Sequence, residues 1–355
     1  MSREVPEGWL DRRLLDICRP RQWPTISRQK FTETGYPVYG ANGQIGFYSE
    51  YTHAEETIAI TCRGATCGTI NVVPAKSYIT GNAMALDDLD SVSVDQTYLR
   101  QALEHWGVVK SISGSAQPQI TRQSLSNVSF PFPPLDEQRR IAEVLRSVDK
   151  AIAAAEDARQ ATEQVFANVR AKLLDRARQE CDEVEVVDAM AKNRGQKITK
   201  LQTSDYLEEG AFPIIDQGAS FICGYTDDAE ALWPYGLPVI VFGDHTRILK
   251  FVDFPFVIGA DGTQCITPAP GLDARYLYYS LQSLDLLGEG YARHFKMLKE
   301  RTIPVPDVAE QIEIAAQLSA LETCVAAAEQ STQRLLTTKR TLMSDLLSAH
   351  VRVPA

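Results

Sequence analysis

The fold is decided by the stretch Pro131-Phe132-Pro133-Pro134-Leu135-Asp136-Glu137-Gln138, which returns 173 residues later as Pro304-Val305-Pro306-Asp307-Val308-Ala309-Glu310-Gln311. At this offset, 14 of the 44 positions from 131 to 174 are identical, far more than chance would give. Self-similarity at so long a period is typical of a duplicated domain and not of a solenoid. The 355 residues also exceed one ordinary core, so the sequence predicts two domains.

Each copy of the repeat continues as a helix of about 40 residues, hence about 60 Å. Proline suits the first turn of a helix, so Pro133-Pro134 and Pro306 mark the starts, and Asp307 with Glu310 forms a capping pattern. Apolar side chains then recur every 3.5 residues on average, the spacing of a coiled-coil seam. The predicted seam residues are Ile141, Leu145, Val148, Ile152, Phe166, Val169, Leu173, Ile314, Leu318, Leu321, Val325, Leu335, Leu342 and Leu346.

An isolated helix would leave such a seam in water, so we expect the two helices to pair with each other, antiparallel. Two separate helices that bind unrelated partners are the alternative. The segment before each helix is rich in β-formers, glycine and turns. Strands are predicted at 36–39, 57–61, 68–73, 77–80, 212–215, 238–242, 249–252 and 256–258, and short helices at 98–103 and 276–281.

The predicted fold class is therefore α+β. Two similar mixed α/β domains are linked by two long helices that form an antiparallel coiled coil, with a pseudo-two-fold internal repeat. The predicted segments are a first domain at 1–132, a first helix at 133–182, a second domain at 183–305 and a second helix at 306–350.

The charge of the chain is acidic, at −10 overall, −1 over residues 1–130 and −5 over residues 184–303. Nothing resembles a basic surface wrapped by phosphates, so any DNA affinity of the isolated chain should be modest. No apolar run is long enough to span a membrane, and residues 1–4 do not lead into a signal peptide, so we expect a cytoplasmic protein.

Catalytic and metal-binding motifs are missing from the sequence. It contains no phosphate-binding loop, no dinucleotide fingerprint, no H-E-x-x-H and no G-x-S-x-G. The seven cysteines form no C-x-x-C pair, so Cys62 and Cys67 are interpreted as packing residues and not as zinc ligands. An enzyme is disfavoured, and no metal site is expected.

The loops of both segments carry side chains suited to contacting DNA. Arginine, amide and hydroxyl groups contact base edges, and lysine and arginine contact phosphates. Ordinary turns and a solvated surface are the plainer interpretation of the same residues. The candidate DNA-binding residues are Arg19, Arg21, Lys30, Asn42, Gln44, Arg63, Thr66, Asn82, Lys197, Lys200, Gln217, Asp244, His245, Thr246, Arg247 and Lys296.

The combination of features is more specific than any single loop. Glu-Gln after Pro-x-Pro, opening a long helix twice in one chain, resembles the specificity subunits of type I restriction–modification systems. The stretches 36–43, 62–68, 79–83 and 114–118 look like the first target-recognition domain of that family, and 241–247 with 258–262 look like a variant of the same domain.

The resemblance implies a non-catalytic subunit that recognises double-stranded DNA. It implies as partners two modification subunits, which methylate adenine, restriction subunits, and phage anti-restriction proteins. It also implies that this chain binds no cofactor, while S-adenosylmethionine, ATP and Mg²⁺ are used by the partner subunits. An antiparallel helix pair would place two domains on two segments of a split site, with the helices setting the spacer.

Three other functions remain open from the sequence. A coiled-coil scaffold with two globular heads would leave the polar loops unexplained. A single-chain nuclease or methyltransferase lacks the expected motifs. The chain could also serve a related phage-defence assembly built on a methyltransferase.

Overall fold

The computed structural model describes residues 5–114, 117–286 and 294–353. The chain divides into two compact units, one of residues 1–155 with 331–355 and the other of residues 156–330. Each unit takes in one half of each long helix as well as a globular domain. In the part of the chain that the structure describes, no helix is both long and apolar enough to cross a membrane.

The first unit holds the first globular domain. Its 3₁₀ turns are Arg28–Lys30, Val109–Ser111 and Ser124–Asn127. Its helices are α1 (Leu14–Ile17), α2 (Gln96–Trp106) and the start of α3 (Leu135–Glu180). Its strands are β1 (Leu10–Arg13), β2 (Arg19–Gln22), β3 (Tyr36–Gly40), β4 (Gly43–Tyr48), β5 (Thr57–Thr61), β6 (Ile70–Val73), β7 (Tyr78–Ile79), β8 (Ala83–Asp87) and β9 (Ser129–Phe132).

The second unit holds the second globular domain. Its 3₁₀ turns are Thr203–Asp205 and Ala229–Ala231. Its strands are β10 (Glu183–Glu185), β11 (Lys200–Leu201), β12 (Phe212–Ile215), β13 (Gly224–Thr226), β14 (Val239–Gly243), β15 (Leu249–Val252), β16 (Val257–Gly259), β17 (Thr263–Ile266) and β18 (Thr302–Pro304). Its helices are α4 (Ala274–Gln282), α5 (His294–Lys299) and the start of α6 (Val308–Leu347).

The two domains share one sheet topology. In the first, β8-β5-β6 form part of one sheet and β4-β3-β7 form another; in the second, β17-β14-β15 and β13-β12-β16 repeat both orders. The parallel pairing of β3 with β7 recurs as β12 with β16. Each domain adds one strand of its own, β2 beside β8 and β11 beside β16. The internal repeat therefore includes the domains as well as the helices.

A buried hydrogen-bond network joins the first domain to the start of α3. Asp95 caps α2 by accepting a bond from Tyr98 N at 2.9 Å, and Tyr98 Oη donates to Pro131 O at 2.8 Å. Gln138 Oε1 accepts from Asp95 N at 2.9 Å, while Gln138 Nε2 donates to Pro133 O at 2.9 Å. The glutamine of the repeated motif thus fixes α2 against the first turn of α3.

The same network is present in the second domain. Asp273 caps α4 through Tyr276 N at 2.8 Å, and Tyr276 Oη donates to Pro304 O at 2.8 Å. Gln311 Oε1 accepts from Asp273 N at 2.7 Å, and Gln311 Nε2 donates to Pro306 O at 2.8 Å. Each network buries strong polar groups whose bonds would be costly to lose, so the repeated Gln is a structural residue.

The glutamate of the repeated motif pairs with an arginine from the end of the other long helix. Glu137 accepts two bonds from Arg352, at 2.6 and 2.7 Å, just beyond the end of α6. Glu310, in the first turn of α6, pairs with Arg176 near the end of α3 at 3.1 Å. The start of each helix lies beside the end of the other, so the pair is antiparallel, as the sequence predicts.

The helix seam is apolar in both units. In the first, Ile141 and Leu145 lie in one core with Leu346; in the second, Ile314 and Leu318 lie in one core with Leu174. All fourteen predicted seam residues are buried or half-buried. The seam pattern missed six buried apolar residues of α3 and α6, namely Ala142, Leu174, Ala177, Ala315, Met343 and Leu347.

Most of the predicted elements match those observed. The predictions at 57–61, 212–215 and 249–252 coincide with β5, β12 and β15. The short helices extend beyond the predicted ranges at both ends. The division into segments 1–132, 133–182, 183–305 and 306–350 stays a prediction, because the compact units divide both long helices.

Candidate nucleic-acid interface

Three equivalent strand connections lie together in each domain. In the first domain they are 41–42, 62–69 and 80–82, and we call them loop cluster 1. In the second they are 216–223, 244–248 and 260–262, and we call them loop cluster 2. They join the same strands in both, namely β3–β4, β5–β6 and β7–β8, or β12–β13, β14–β15 and β16–β17. Equivalent parts of the framework therefore carry both groups of candidate residues.

Hydrogen bonds hold loop cluster 1 together. Thr66 Oγ1 donates to Asn42 Oδ1 at 2.9 Å, and Thr61 Oγ1 donates to Ala41 O at 2.9 Å, which joins two of the connections. Cys62 N donates to Asn82 O at 3.0 Å, which joins the third. Because these bonds hold the three connections together, the backbone positions from which their exposed side chains extend are fixed.

The structure brings five predicted DNA-binding residues to this cluster. Asn42, Gln44, Arg63, Thr66 and Asn82 are all exposed, on or directly beside the three connections. Amide, guanidinium and hydroxyl groups in such an array match the donors and acceptors of base edges. The stretch 114–118 also approaches, since Gly64 N donates to Pro118 O at 3.3 Å. Residues 115 and 116 of that stretch lie outside the described residues.

Three predicted basic residues of the first domain lie away from loop cluster 1. In the register of β2 with β8, Arg19 lies opposite Asp87, at the end of β8 that is farther from Asn82. The strand β8 is about four residue steps long, or roughly 13 Å. The Arg21 guanidinium lies over the Trp23 ring, 4.1 Å from its centroid. Both arginines line a surface cavity of about 640 Å³.

Hydrogen-bonded polar side chains also line that cavity. Asp87 accepts a bond from Trp23 Nε1 at 3.1 Å and forms a 2.9 Å contact with His53 Nε2. Arg19 pairs with the exposed Asp88 at 3.9 Å, a surface contact of small energetic value. Lys30 is exposed in the 3₁₀ turn beside β4. Arg19, Arg21 and Lys30 therefore remain candidates for contacts with DNA phosphates, at a place apart from loop cluster 1.

Gln217 lies at the centre of loop cluster 2. Its Nε2 donates to Asp261 O at 2.7 Å, and its Oε1 accepts from His245 N at 3.2 Å. Its backbone oxygen accepts from Thr246 Oγ1 at 2.6 Å. Gln217 is one of the predicted DNA-binding residues, and in the structure its amide and backbone oxygen join the three connections.

The turn after β14 combines one buried residue with three exposed ones. His245, Thr246 and Arg247 are exposed, and Arg247 has a left-handed backbone with φ of 62°. Asp244 is only 6% exposed, and its carboxylate accepts from Phe295 N at 2.8 Å. The carboxylate of Asp244 therefore caps α5, and its predicted contact with DNA stays a prediction.

The predicted lysines of the second domain, Lys197, Lys200 and Lys296, are all exposed. Lys200 donates to Thr263 O at 2.6 Å, so it supports the connection before β17. Lys197 is exposed before β11, and Lys296 is exposed on α5, 3.9 Å from the exposed Glu300. Lys197 and Lys296 keep the exposure that a phosphate contact requires. Arg293, grouped with Lys296 in the sequence, lies outside the described residues.

The sequence search missed Lys250, a charged residue buried to 4% exposure. Its Nζ donates to Asp216 O at 2.8 Å and to Ser220 O at 2.6 Å, with the Asp216 carboxylate 4.0 Å away. Burial lowers the pKa of Lys250, and the nearby Asp216 opposes that shift. The alternation of Leu249-Lys250-Phe251-Val252 was the available signal, since it puts Lys250 on the buried face with Val252.

The cysteines have the character of packing residues. Burial raises the pKa of both Cys62 and Cys67, so their thiols are neutral at physiological pH. Burial also raises the pKa of Cys265 to about 12. Among residues 5–114, 117–286 and 294–353, no group of three or more His, Cys, Asp or Glu side chains is placed to hold a metal ion.

Comparison with known proteins agrees with this arrangement. Residues 6–163 match the profile of the type I restriction modification DNA specificity domain. Over 347 residues the chain is 23% identical to a Mycoplasma pneumoniae protein assigned as a type I specificity subunit, covering 87% of this chain and 88% of that one. Over residues 6–163 the chain therefore matches a type I restriction modification DNA specificity domain. The resemblance seen in the sequence is confirmed.

A second relative matches this chain over a shorter stretch. The specificity subunit of the Escherichia coli type I restriction enzyme EcoR124I/EcoR124II is 27% identical over 112 residues. That match covers 30% of this chain and spans only 28% of the relative's length.

Solved structures share the fold of this chain. The type I restriction–modification S subunit from M. genitalium aligns with a TM-score of 0.67 at 16% identity, over 98% of this chain and 97% of that one. A chain from a study of complex assembly and conformational transition of the type I system aligns at 0.51 and 15% identity, over 98% and 99%. The α+β architecture with paired long helices is thus confirmed as the fold of this family.

Proposed function

We propose that this chain is the DNA-recognition subunit of a type I restriction–modification complex and catalyses no reaction itself. One observation carries the proposal. Loop clusters 1 and 2 lie on equivalent connections of a duplicated framework, yet they expose different side chains. Asn42, Arg63 and Asn82 are in one, and His245, Thr246 and Arg247 are in the other. A duplicated framework with different loops is suited to recognising two different sequences.

Each domain would contact one segment of a bipartite, asymmetric DNA site. Side chains of the two loop clusters would contact base edges in the major groove, where all four base pairs differ in their donors and acceptors. Arg63 and Arg247 suit bidentate contacts with guanine, and Asn42 and Asn82 suit contacts with adenine. Exposed Lys197 and Lys296 would add phosphate contacts, which fix register without reading sequence.

The two long helices would set the spacing between the two segments. A helix of 46 residues, the length of α3, is about 69 Å long. At 3.4 Å per base pair that length corresponds to about two turns of B-DNA. The helices would also dock two modification subunits, with restriction subunits joining the assembly and anti-restriction proteins as further partners. Such a subunit would work beside the chromosome, in the cytoplasm of its host.

Cofactors would belong to the partner subunits. S-adenosylmethionine would serve methyl transfer on the modification subunits, and ATP with Mg²⁺ would serve the restriction subunits. This chain would supply discrimination, and the modification subunits would supply much of the phosphate contact. The acidity of the chain, −10 overall, supports that division of roles.

The proposal is tested by sequencing the methylome of cells that express the modification subunits with and without this chain. With it, we expect one methylated adenine motif made of two different segments and an unread spacer. No methylated motif, or one that does not depend on this chain, would contradict the proposal.

A gel-shift assay tests the division of roles. At physiological salt, the isolated chain should bind a duplex that carries the motif far more weakly than the complex with its modification subunits does. Equal affinities would show that this chain supplies the phosphate contacts alone.

A further inference from the structure

Loop cluster 2 is supported from beneath by a buried cation. Lys250 lies on β15 at 4% exposure, and its ammonium group donates to two backbone oxygens of the neighbouring loop, Asp216 O and Ser220 O. A buried ammonium group is stable only if its donors are satisfied, so the position of these oxygens is strongly constrained. The loop is further tightened where Gly218 N donates to Asp216 Oδ1 at 2.7 Å.

The loop that Lys250 holds contains Gln217, which joins the rest of the cluster. The Gln217 side chain bonds to Asp261 O and His245 N, and its backbone oxygen bonds to Thr246 Oγ1. Two connections of loop cluster 2 are therefore bonded to the third through one residue. A continuous series of contacts runs from Lys250 through residues 216–220 to the turn at 244–248.

Close packing leaves this arrangement little freedom to adjust. A Cβ atom on Gly262, whose φ is +83°, would lie 2.7 Å from Gln217 Nε2. A Cβ atom on Gly243 would lie 3.0 Å from Gln217 Cβ and would clash with Thr246 Oγ1 at 2.0 Å. The glycines permit the backbone to approach Gln217 from two sides, so the turn that carries the exposed residues packs closely on Gln217.

We propose that Gln217 and Lys250 are positioning residues for DNA specificity, setting which bases the second domain accepts without contacting DNA themselves. This inference rests on the proposed function. The exposed side chains of His245, Thr246 and Arg247 would make the contacts with DNA. Gln217 and Lys250 would set the positions of these three side chains. Misplacement by about 1 Å is enough to weaken a geometrically demanding contact.

The first domain provides an internal control, because its cluster is joined differently. There Thr66 bonds to Asn42, and no residue of the described part of loop cluster 1 has the role that Gln217 has. Substitutions at Gln217 or Lys250 should therefore change discrimination in one DNA segment only. A substitution that merely weakened folding would reduce methylation without regard to segment.

The experiment uses the full chain assembled with its modification subunits, and duplexes that carry the motif found by methylome sequencing. Initial methylation rates are measured for the motif and for every single-base replacement in both segments. The variants are Gln217→Met, which keeps volume and removes the bonds, Lys250→Met, and Lys250→Arg, which keeps the charge. Gln202→Met, at an exposed position of the same domain, is the matched control.

For Gln217→Met and Lys250→Met we expect discrimination to fall by about tenfold or more at one or more positions of one segment, the effect of losing one good base contact. The other segment should stay within about twofold of the wild type, and Lys250→Arg should recover part of the loss. Gln202→Met should match the wild type at every position.

Unchanged discrimination in Gln217→Met would overturn the inference, and so would an equal loss in both segments. If Lys250→Met does not fold, as thermal melting would show, Gln217→Met alone decides. A wild-type complex with no sequence preference would instead contradict the proposed function, so the two failures are distinguishable.

Discussion

Loop clusters 1 and 2 occupy the same place on the same framework but are held together by different chemistry. In the first, Thr66 bonds to Asn42 and Cys62 N bonds to Asn82 O, and the amide of Gln22, on the neighbouring strand β2, donates to Gly81 O at 3.1 Å. In the second, a longer loop requires a central amide at Gln217 and a buried ammonium group at Lys250. The contrast shows that the framework does not dictate how its loops are held.

The parts that connect the domains to the helices differ far less. Gln138 and Gln311 make equivalent bonds at lengths within about 0.2 Å of each other, and Tyr98 and Tyr276 each bond to a proline oxygen at 2.8 Å. A constant junction with variable loops permits one domain to change its specificity while its attachment is unchanged. Equivalent substitutions in the two copies should then have equivalent effects at the junction and unequal effects in the loops.

The largest effect is expected at the helix seam. Leu145 and Leu318 are equivalent in the repeat and fully buried, so we expect Leu145→Glu and Leu318→Glu each to destabilise the protein by more than the about 2–5 kcal/mol of a buried leucine truncation. Co-purification of the modification subunits should be lost. Chemical unfolding measures the free energy of each variant.

Matched controls lie at Ala151 and Cys324, which are exposed and also equivalent in the repeat. Ala151→Glu and Cys324→Glu should change the free energy of unfolding by less than about 0.5 kcal/mol. If Leu145→Glu or Leu318→Glu unfolded like these controls, the seam assignment would be wrong.

A smaller and equal effect is expected at the junction. Gln138→Ala and Gln311→Ala each leave buried backbone groups without partners, which should cost about 1–3 kcal/mol. The exposed pair Gln160→Ala and Gln333→Ala, at the same offset, should be close to neutral. Costs for Gln138→Ala and Gln311→Ala that differ by more than about 1 kcal/mol would break the equivalence of the two junctions.

The smallest effect is expected at Asp149, which accepts bonds from Arg100 and Lys339 at 2.8 Å each. Desolvation raises the pKa of Asp149, but those two cations outweigh it and hold the pKa below its usual value. The stabilisation is therefore complete above about pH 4 and is lost as the pH falls through the folded-state value.

Asp149→Asn should then cost about 1 kcal/mol at pH 7, and its difference from the wild type should shrink as the pH falls below about 4. Its repeat equivalent Glu322 pairs instead with Arg275 and the Tyr279 hydroxyl. The two equivalent positions therefore have different partners in the two halves of the chain. A difference for Asp149→Asn that grew on acidification would contradict the ion-pair account.

The framework was largely predictable because its signals are periodic and local. Strands such as β5 and β14 are runs of β-branched and apolar residues, and the seam repeats every 3.5 residues. The seam pattern missed Leu174 and Ala177 because the C-terminal end of α3 also packs against the second domain. There the two residues share one core with Val186 and Ala189. A second packing partner widens the buried face beyond what a two-helix seam requires.

The candidate interface was only partly predictable. Sequence placed the polar loops but could not tell which polar groups are exposed. Asp244 is buried because Phe295, 51 residues later, donates to its carboxylate. Lys250 is buried because oxygens from residues 216 and 220 surround it. Such partners are distant in sequence. The alternation along β15 places Lys250 on the buried face, but no local pattern identifies the oxygens that accept its bonds.

The measurement that tests the central claim most directly is a domain exchange read by methylome sequencing. Residues 1–130 are replaced by the equivalent domain of another specificity subunit, and both long helices and the second domain are kept. We predict that one segment of the methylated motif changes and the other segment is retained. A motif in which both segments change, or neither does, would contradict the account.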